Sequence, residues 1–184
     1  MLRSIRNKLM APARRFARAE AGAAAVEFAL VAAPFLALIF AIMETALVFF
    51  AGQTLEAAAS AAGRLVMTGQ AQSAGYTTAA QFKTNVVCPA LGSSSLFTCA
   101  NVDVDVKIYN DFSAVSNDSN PPVKNGQLDT ANMGYAQSKA GDIVVVRLYY
   151  QWPIYLSLLN DSLSNLSNHT RLLVATSVFR NEPF

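Results

Sequence analysis

The chain has 184 residues, 53% of them hydrophobic, with 14 basic and 12 acidic side chains and a formal net charge of +2. Six basic residues but only one acidic residue lie in positions 1–22, so 8 basic and 11 acidic residues remain from position 23 onward, a net charge of about −3. Nucleic-acid binding requires a basic patch on the folded domain, and this charge distribution argues against it.

Residues 1–22 form a basic leader that precedes the apolar part of the chain. By the positive-inside rule, such a leader stays on the cytoplasmic side of a membrane. An ordinary secretory signal is disfavoured, because its apolar core comes before a small-residue cleavage site. Here Gly22 comes before the apolar run.

An apolar segment follows the leader. No charged residue occurs from Phe28 to Met43, and apolar character continues past Glu44 to Ala51. A bilayer requires about 20 such residues, so we predict a single transmembrane helix over residues 23–51, with lipid as its surroundings. Glu27 and Glu44 would lie roughly 25 Å apart along this helix, one near each edge of the hydrocarbon. Glu44 is then either an interfacial residue or part of a specific contact within the membrane.

Two residues of this segment are unfavourable in a transmembrane helix, one because of its charge and the other because of its backbone. An ionised carboxylate at Glu27 requires a partner, an interfacial position or a function. Pro34 cannot donate a hydrogen bond to the carbonyl of Leu30, which predicts a kink or a locally melted turn.

The helix is predicted to continue through residues 52–69 as a spine outside the membrane, with Gly69 as its stop. One face of this continuation is rich in alanine, and Glu56, Ser60 and Arg64 form a polar stripe. The alanine face packs either against other subunits or against the domain that follows. The sequence leaves both open.

Residues 70–184 are predicted to form an extracytoplasmic α+β domain with a three-stranded, mainly antiparallel sheet. The predicted elements are a short helix capped by Thr77 or Thr78 and ending at Val87, strands over 101–109, 143–152 and 170–179, a short helix near 129–138, an apolar helix or turn over 154–159, and a loop over 160–168. Phe82, Val86 and Val87 are expected to face inward, and Asp103 and Asp105 are expected on a solvated strand face rather than at a calcium ion.

Cys88 and Cys99 are the only cysteines. An even count in a segment exported across a membrane favours a disulfide between them. Two cysteines without a nearby histidine lack the four ligands of a structural zinc site, so no metal or other cofactor is expected. The single histidine, His169, lies in a Ser/Asn loop without a nucleophile elbow or phosphate loop, and we therefore expect no enzyme activity.

The chain resembles the TadE-like proteins, minor pilins or pseudopilins of the Tad (tight adherence) pilus system. The resemblance lies in the segment from Gly22 to Phe28, in Pro34 and Glu44, in the strand that begins Gly141-Asp142-Ile143, and in the tail from Phe179 to Glu182. It implies cleavage between Gly22 and Ala23 by a prepilin peptidase, and registration of subunits through Glu27 and Phe28. The ammonium group freed at Ala23 would be the ion partner of Glu27.

The resemblance further implies a single-pass protein of the bacterial inner membrane, with its N-terminus in the cytoplasm and its outer domain in the periplasm. Its implied partners are the peptidase, other Tad pilins or pseudopilins, and the assembly platform, with a role in pilus biogenesis and adherence. An alternative is an uncleaved, membrane-anchored scaffold or binding protein of the export machine. An anchored periplasmic enzyme would be a third possibility.

Overall fold

The computed structural model describes residues 20–92, 96–118, 120–156 and 160–184. Most of the predicted leader, residues 1–19, and the end of the predicted turn over 154–159 therefore lie outside the described residues. The chain divides into two compact units, the first ending at Met43 and the second beginning at Glu44.

One helix, α1, begins at Glu20 and ends at Met67. In the first unit, its large apolar side chains are exposed, and Phe28, Leu30 and Val31 each expose 70% or more of their surface. Pro34 lies inside the helix. By length and composition the helix is able to cross a membrane, and its most apolar stretch has a mean hydropathy of 2.4.

The second unit packs the C-terminal half of α1 against a sheet. The buried side chains of this half recur every three or four residues and are mostly small; they are Val48, Ala51, Leu55, Ala58, Ala59, Ala62 and Val66. Small side chains let the helix backbone approach the sheet closely. The alanine face is therefore buried within this chain, which resolves the alternative that the sequence left open.

The helix ends as predicted. Gly69 adopts a left-handed conformation with φ of 75°, which a glycine accepts without strain. The N–H of Gly69 donates to the carbonyl of Val66, and the N–H of Glu182 donates to the carbonyl of Met67. The C-terminal tail thus satisfies a carbonyl group that the end of a helix leaves free.

The second unit contains seven further short helical segments and five strands among the described residues. These are α2 (Gln70–Ser73), α3 (Ala79–Phe82), a π-helical turn (Lys83–Val87), α4 (Cys88–Ala90), a 3-10 turn (Cys99–Asn101), β1 (Val102–Tyr109), α5 (Phe112–Asn117), β2 (Val123–Lys124), β3 (Gln127–Leu128), β4 (Ile143–Pro153), α6 (Asn160–Leu163) and β5 (Thr170–Arg180).

The main sheet is antiparallel with the strand order β1-β4-β5, so β4 is central. This confirms the predicted α+β fold with three antiparallel strands. Val104, Leu148 and Ala175 lie side by side across the three strands and face α1. Thr78 caps α3 by accepting a hydrogen bond from the N–H of Gln81, as the sequence predicts.

The excursion between β1 and β4 differs from its prediction. No helix forms over residues 129–138; α5 forms instead, with Asp111 accepting from the N–H of Ala114 at its start. The N–H of Val106 donates to the carbonyl of Gly134, and the N–H of Ala136 donates to the carbonyl of Val106. The free edge of β1 offers these backbone groups, and this pairing replaces the local helix.

Two smaller predictions also fail. Asp105 is 2% exposed rather than solvated, because its carboxylate accepts from the N–H of Gly134 and pairs with the Lys107 ammonium at 3.1 Å. The loop predicted over 160–168 contains α6. Residues 154–156 form no regular secondary structure.

Candidate functional site

The predicted processing segment lies at the start of α1. Gly22 is its third residue, and Ala23, Glu27 and Phe28 follow on exposed helix surface. Residues four apart lie on the same face of a helix, one turn from each other. An ammonium group created at Ala23 would therefore lie on the same side of the helix as the Glu27 carboxylate. No described residue outside α1 is needed to bring the two together.

The segment after Glu27 presents apolar side chains in every direction. Phe35, Leu38, Phe40 and Ile42 are all more than half exposed, and they point to different sides of the helix. A soluble amphipathic helix would bury one stripe of such side chains. This surface suits lipid or other apolar helices.

Glu44 makes a specific contact with backbone groups that follow β4, whereas the sequence offered an interfacial position or a specific contact within the membrane. Its side chain is 5% exposed. The N–H of Leu156 donates to Oε2 at 3.0 Å, and the N–H of Tyr155 donates to Oε1. The carboxylate thus holds the segment after β4 against α1. In the sequence, Glu44 stands out as an acid within an apolar run. Its partners are backbone groups more than 100 positions away, and no feature of the sequence marks them as partners.

Cys88 and Cys99 form a disulfide with a Cα to Cα distance of 5.7 Å. The bond links α4 to the 3-10 turn before β1, so it fixes the entry of the chain into the sheet. Within the described ranges no group of three or more His, Cys, Asp or Glu side chains is arranged to hold a metal ion. His169 lies in the turn before β5, with φ of 57°.

Sequence reasoning missed a polar cluster on the sheet face opposite α1. Arg147 is buried in β4, and its Nη1 lies 2.9 Å from Oδ2 of Asp118. Donation by the Tyr109 hydroxyl and by Arg147 holds the pKa of Asp118 below its usual value. Burial raises the pKa of Tyr149 to about 12. The sequence does contain a sign of this cluster. Arg147 is the single charged residue in an otherwise apolar strand, and a buried guanidinium group requires a hydrogen-bond acceptor.

Two open grooves lie along the line where α1 meets β5, here called the seam. One groove is lined by α1 residues 45–56 together with residues 171–174 of β5. The other is lined by α1 residues 60–67 together with Ser177 and Phe179. Later residues of α1 thus lie beside later residues of β5, so the helix and the strand run in the same direction. The polar residues Glu56, Ser60 and Arg64 line the seam.

Comparison with known proteins bears on the first part of the chain. The family model described as TadE-like protein matches residues 22–64, which begins at the predicted processing glycine and covers most of α1. Neither a curated protein nor a solved structure matches the chain significantly. The resemblance to TadE-like proteins predicted from the sequence is confirmed over residues 22–64.

Proposed function

We propose that this chain, which matches the TadE-like family in α1, is a minor pilin or pseudopilin of a Tad-type pilus. It is cleaved between Gly22 and Ala23 by a prepilin peptidase and then acts in pilus biogenesis or initiation and in adherence. Residues 23–51 anchor it in the bacterial inner membrane, with the leader, residues 1–22, in the cytoplasm. Residues 52–69 continue the helix, and residues 70–184 lie in the periplasm.

The supporting observation is the exposed apolar surface of α1 between Ala23 and Met43. Glu27 is the only charged residue in this stretch, and it lies one helical turn after the predicted new N-terminus. A buried charge without a partner is costly in lipid. Cleavage supplies the partner, because it creates an ammonium group at Ala23 that can pair with Glu27 in the same or a neighbouring subunit. Phe28 then contributes to the contact between packed helices.

The size of the outer domain favours a minor component over the main fibre subunit. The second unit spans residues 44–184 and builds its own core from α1 and three strands. In the Tad system that this chain resembles, the major fibre subunit, the Flp pilin, has little beyond its helix. A chain with a folded outer domain suits a position at or near the base of the fibre, where it meets the assembly platform, or at its tip. Other Tad pilins and the platform are its proposed partners, and no catalytic step is assigned to it.

The intact mass and N-terminal sequence of the protein from membranes test this proposal, with and without the prepilin peptidase of the same cell. A chain that begins at Ala23 only when the peptidase is present supports it. Gly22→Leu should leave the precursor uncut and abolish piliation. Ala37→Leu introduces the same side chain at an exposed position of the same helix and should be processed normally. A chain beginning at Met1 in both strains would overturn the pilin pathway.

The alternative is an uncleaved accessory scaffold of the Tad export machine. The contact of Glu44 with Tyr155 and Leu156 favours it in one respect, because it ties the outer domain to α1 without any processing. Under this alternative, Gly22→Leu leaves both the protein and piliation unchanged. The two functions therefore give opposite results with one variant.

A further inference from the structure

Among the described residues, one edge of the main sheet is paired at its middle, and the other has no backbone partner over positions 174–178. The edge of β1 is paired at its middle, where Val106 exchanges backbone hydrogen bonds with Gly134 and Ala136. The opposite edge belongs to β5, an eleven-residue strand. Uncovered edges expose unpaired backbone groups, and proteins usually protect them with charged side chains, proline or bulges.

The direction of the backbone groups in β5 follows from its first residues. The carbonyl of Thr170 accepts from the N–H groups of Asn165 and Leu166, and the N–H of Leu172 donates to Oδ1 of Asn165. These groups therefore point away from β4. Because the direction alternates along an antiparallel strand, the backbone groups of positions 174, 176 and 178 also point outward.

The outward groups from position 174 to 178 are unpaired within the described part of the chain. No described residue donates to or accepts from the backbone of Val174, Thr176 or Val178 outside the ladder with β4. The side chains of Val174 and Val178 are 38% and 41% exposed. No charge or proline interrupts the sequence Val174-Ala175-Thr176-Ser177-Val178. The usual protection of an edge is missing here.

The seam determines what would lie beside this edge. A strand added to β5 would place its alternate side chains on two faces. On one face they would meet Val174 and Val178. On the other they would lie over the seam, next to Glu56 and Arg64, which are roughly 12 Å apart along α1. Apolar side chains fit the first face, and a basic and an acidic side chain fit the second.

We propose that the edge of β5 from Val174 to Val178 accepts an extended segment of a partner protein as a fourth strand. Main-chain hydrogen bonds supply the affinity and alternate side chains supply the specificity, as in other cases of strand addition. The segment carries apolar or β-branched residues toward the two valines, a basic residue near Glu56 and an acidic residue near Arg64.

The charges beside the edge disfavour a second copy of this chain as the occupant. In the antiparallel pairing of two identical edges, the strand added to β5 would be another β5. That strand contains no acidic residue, so it would bring no acidic strand residue to Arg64. The complementary occupant is therefore a segment of a different protein.

A photoreactive benzophenone side chain at position 178 of the full chain tests the proposal in piliated cells. The attachment point on any adduct is mapped by mass spectrometry. The adduct is compared between Thr176→Pro, which removes one outward N–H, and Thr176→Val, which keeps it. Because a lost hydrogen bond of about 1 kcal/mol corresponds to roughly a fivefold change, we expect the proline variant to reduce the adduct at least that much and the valine variant to keep it.

Two controls separate folding and function from strand addition. Amide exchange of β4 shows whether Thr176→Pro remains folded, and Val174→Lys supplies a second test that leaves the backbone intact. Strand addition rests on the proposed function in one respect only, which is the choice of piliated cells as the place to look for the partner. The N-terminal sequence of the same samples reports cleavage at Gly22 separately. Equal adduct yields in the proline and valine variants, an adduct with a second copy or with lipid, or no adduct in piliated cells would overturn strand addition, whether or not cleavage occurs.

Discussion

Glu44→Ala should release the segment after β4 from α1. The carboxylate accepts from the N–H groups of Tyr155 and Leu156, and its side chain is almost fully buried. Hydrogen bonds to charged groups contribute about 1.5–3 kcal/mol each. Tyr155 is 76% exposed, so water can replace part of the loss. We therefore expect Glu44→Ala to reduce the free energy of unfolding by about 2–4 kcal/mol.

Glu44→Gln separates the charge from the shape of the side chain. Its amide oxygen can still accept from one N–H, so the expected loss is about 1–2 kcal/mol. Glu56 provides the matched control, because it lies on the same helix and is exposed. Glu56→Ala should change the free energy of unfolding by no more than about 0.5 kcal/mol, as is usual for surface positions.

Amide hydrogen exchange of the full chain in lipid nanodiscs measures the effect where it arises. We expect faster exchange at Tyr155 and Leu156 in Glu44→Ala, a smaller increase in Glu44→Gln and none in Glu56→Ala. Urea unfolding in the same nanodiscs gives the total change. Unchanged exchange at these two amides in Glu44→Ala would show that the carboxylate does not hold the segment, and the argument from its burial would be wrong.

Three further predictions concern the second unit. Gly63→Ala should destabilise it by about 1–3 kcal/mol in urea titrations, because the added Cβ would lie 2.5 Å from a β5 side chain. Gly52→Ala is the matched control and should not, because a Cβ there would meet nothing within 4 Å. The pKa of Asp118 is lower in the folded chain than its value of about 4 in the unfolded chain, so the carboxylate stabilises the fold above about pH 4, and this stabilisation is lost as the pH falls. Asp118→Asn should therefore weaken the dependence of the free energy of unfolding on pH in acid titrations. Reducing the Cys88–Cys99 disulfide should cost about 3 kcal/mol in thermal unfolding.

Local patterns were sufficient for the elements with strong periodicity. The alternation of Val102, Val104 and Val106 predicted β1, and the β-branched run that ends at Pro153 predicted β4. The apolar run and Gly69 predicted the long helix and its stop. These features depend on neighbours a few residues apart, which the sequence shows directly.

Features that depend on distant partners were less predictable. Asp105 is buried because a loop almost 30 residues later supplies an N–H to its carboxylate. The hairpin β2–β3 is an instructive exception, because Asn125-Gly126 is a strong local signal for a two-residue turn and both residues have positive φ. The flanking strands have only two residues each, too few for the alternating pattern that predicts a strand.

The burial of the alanine face limits how α1 can serve in a fibre. Residues 51–66 direct their small side chains toward the sheet of the same chain, so this face is not available for packing against other subunits. Under the proposed pilin function, helix packing uses the exposed apolar residues before Glu44, together with Phe49 and Phe50, which are 70% and 59% exposed. Substitutions that impair assembly without destabilising the outer domain should therefore cluster between Ala23 and Met43 and at Phe49 and Phe50. Substitutions at Ala58 or Ala62 should act through the stability of the domain.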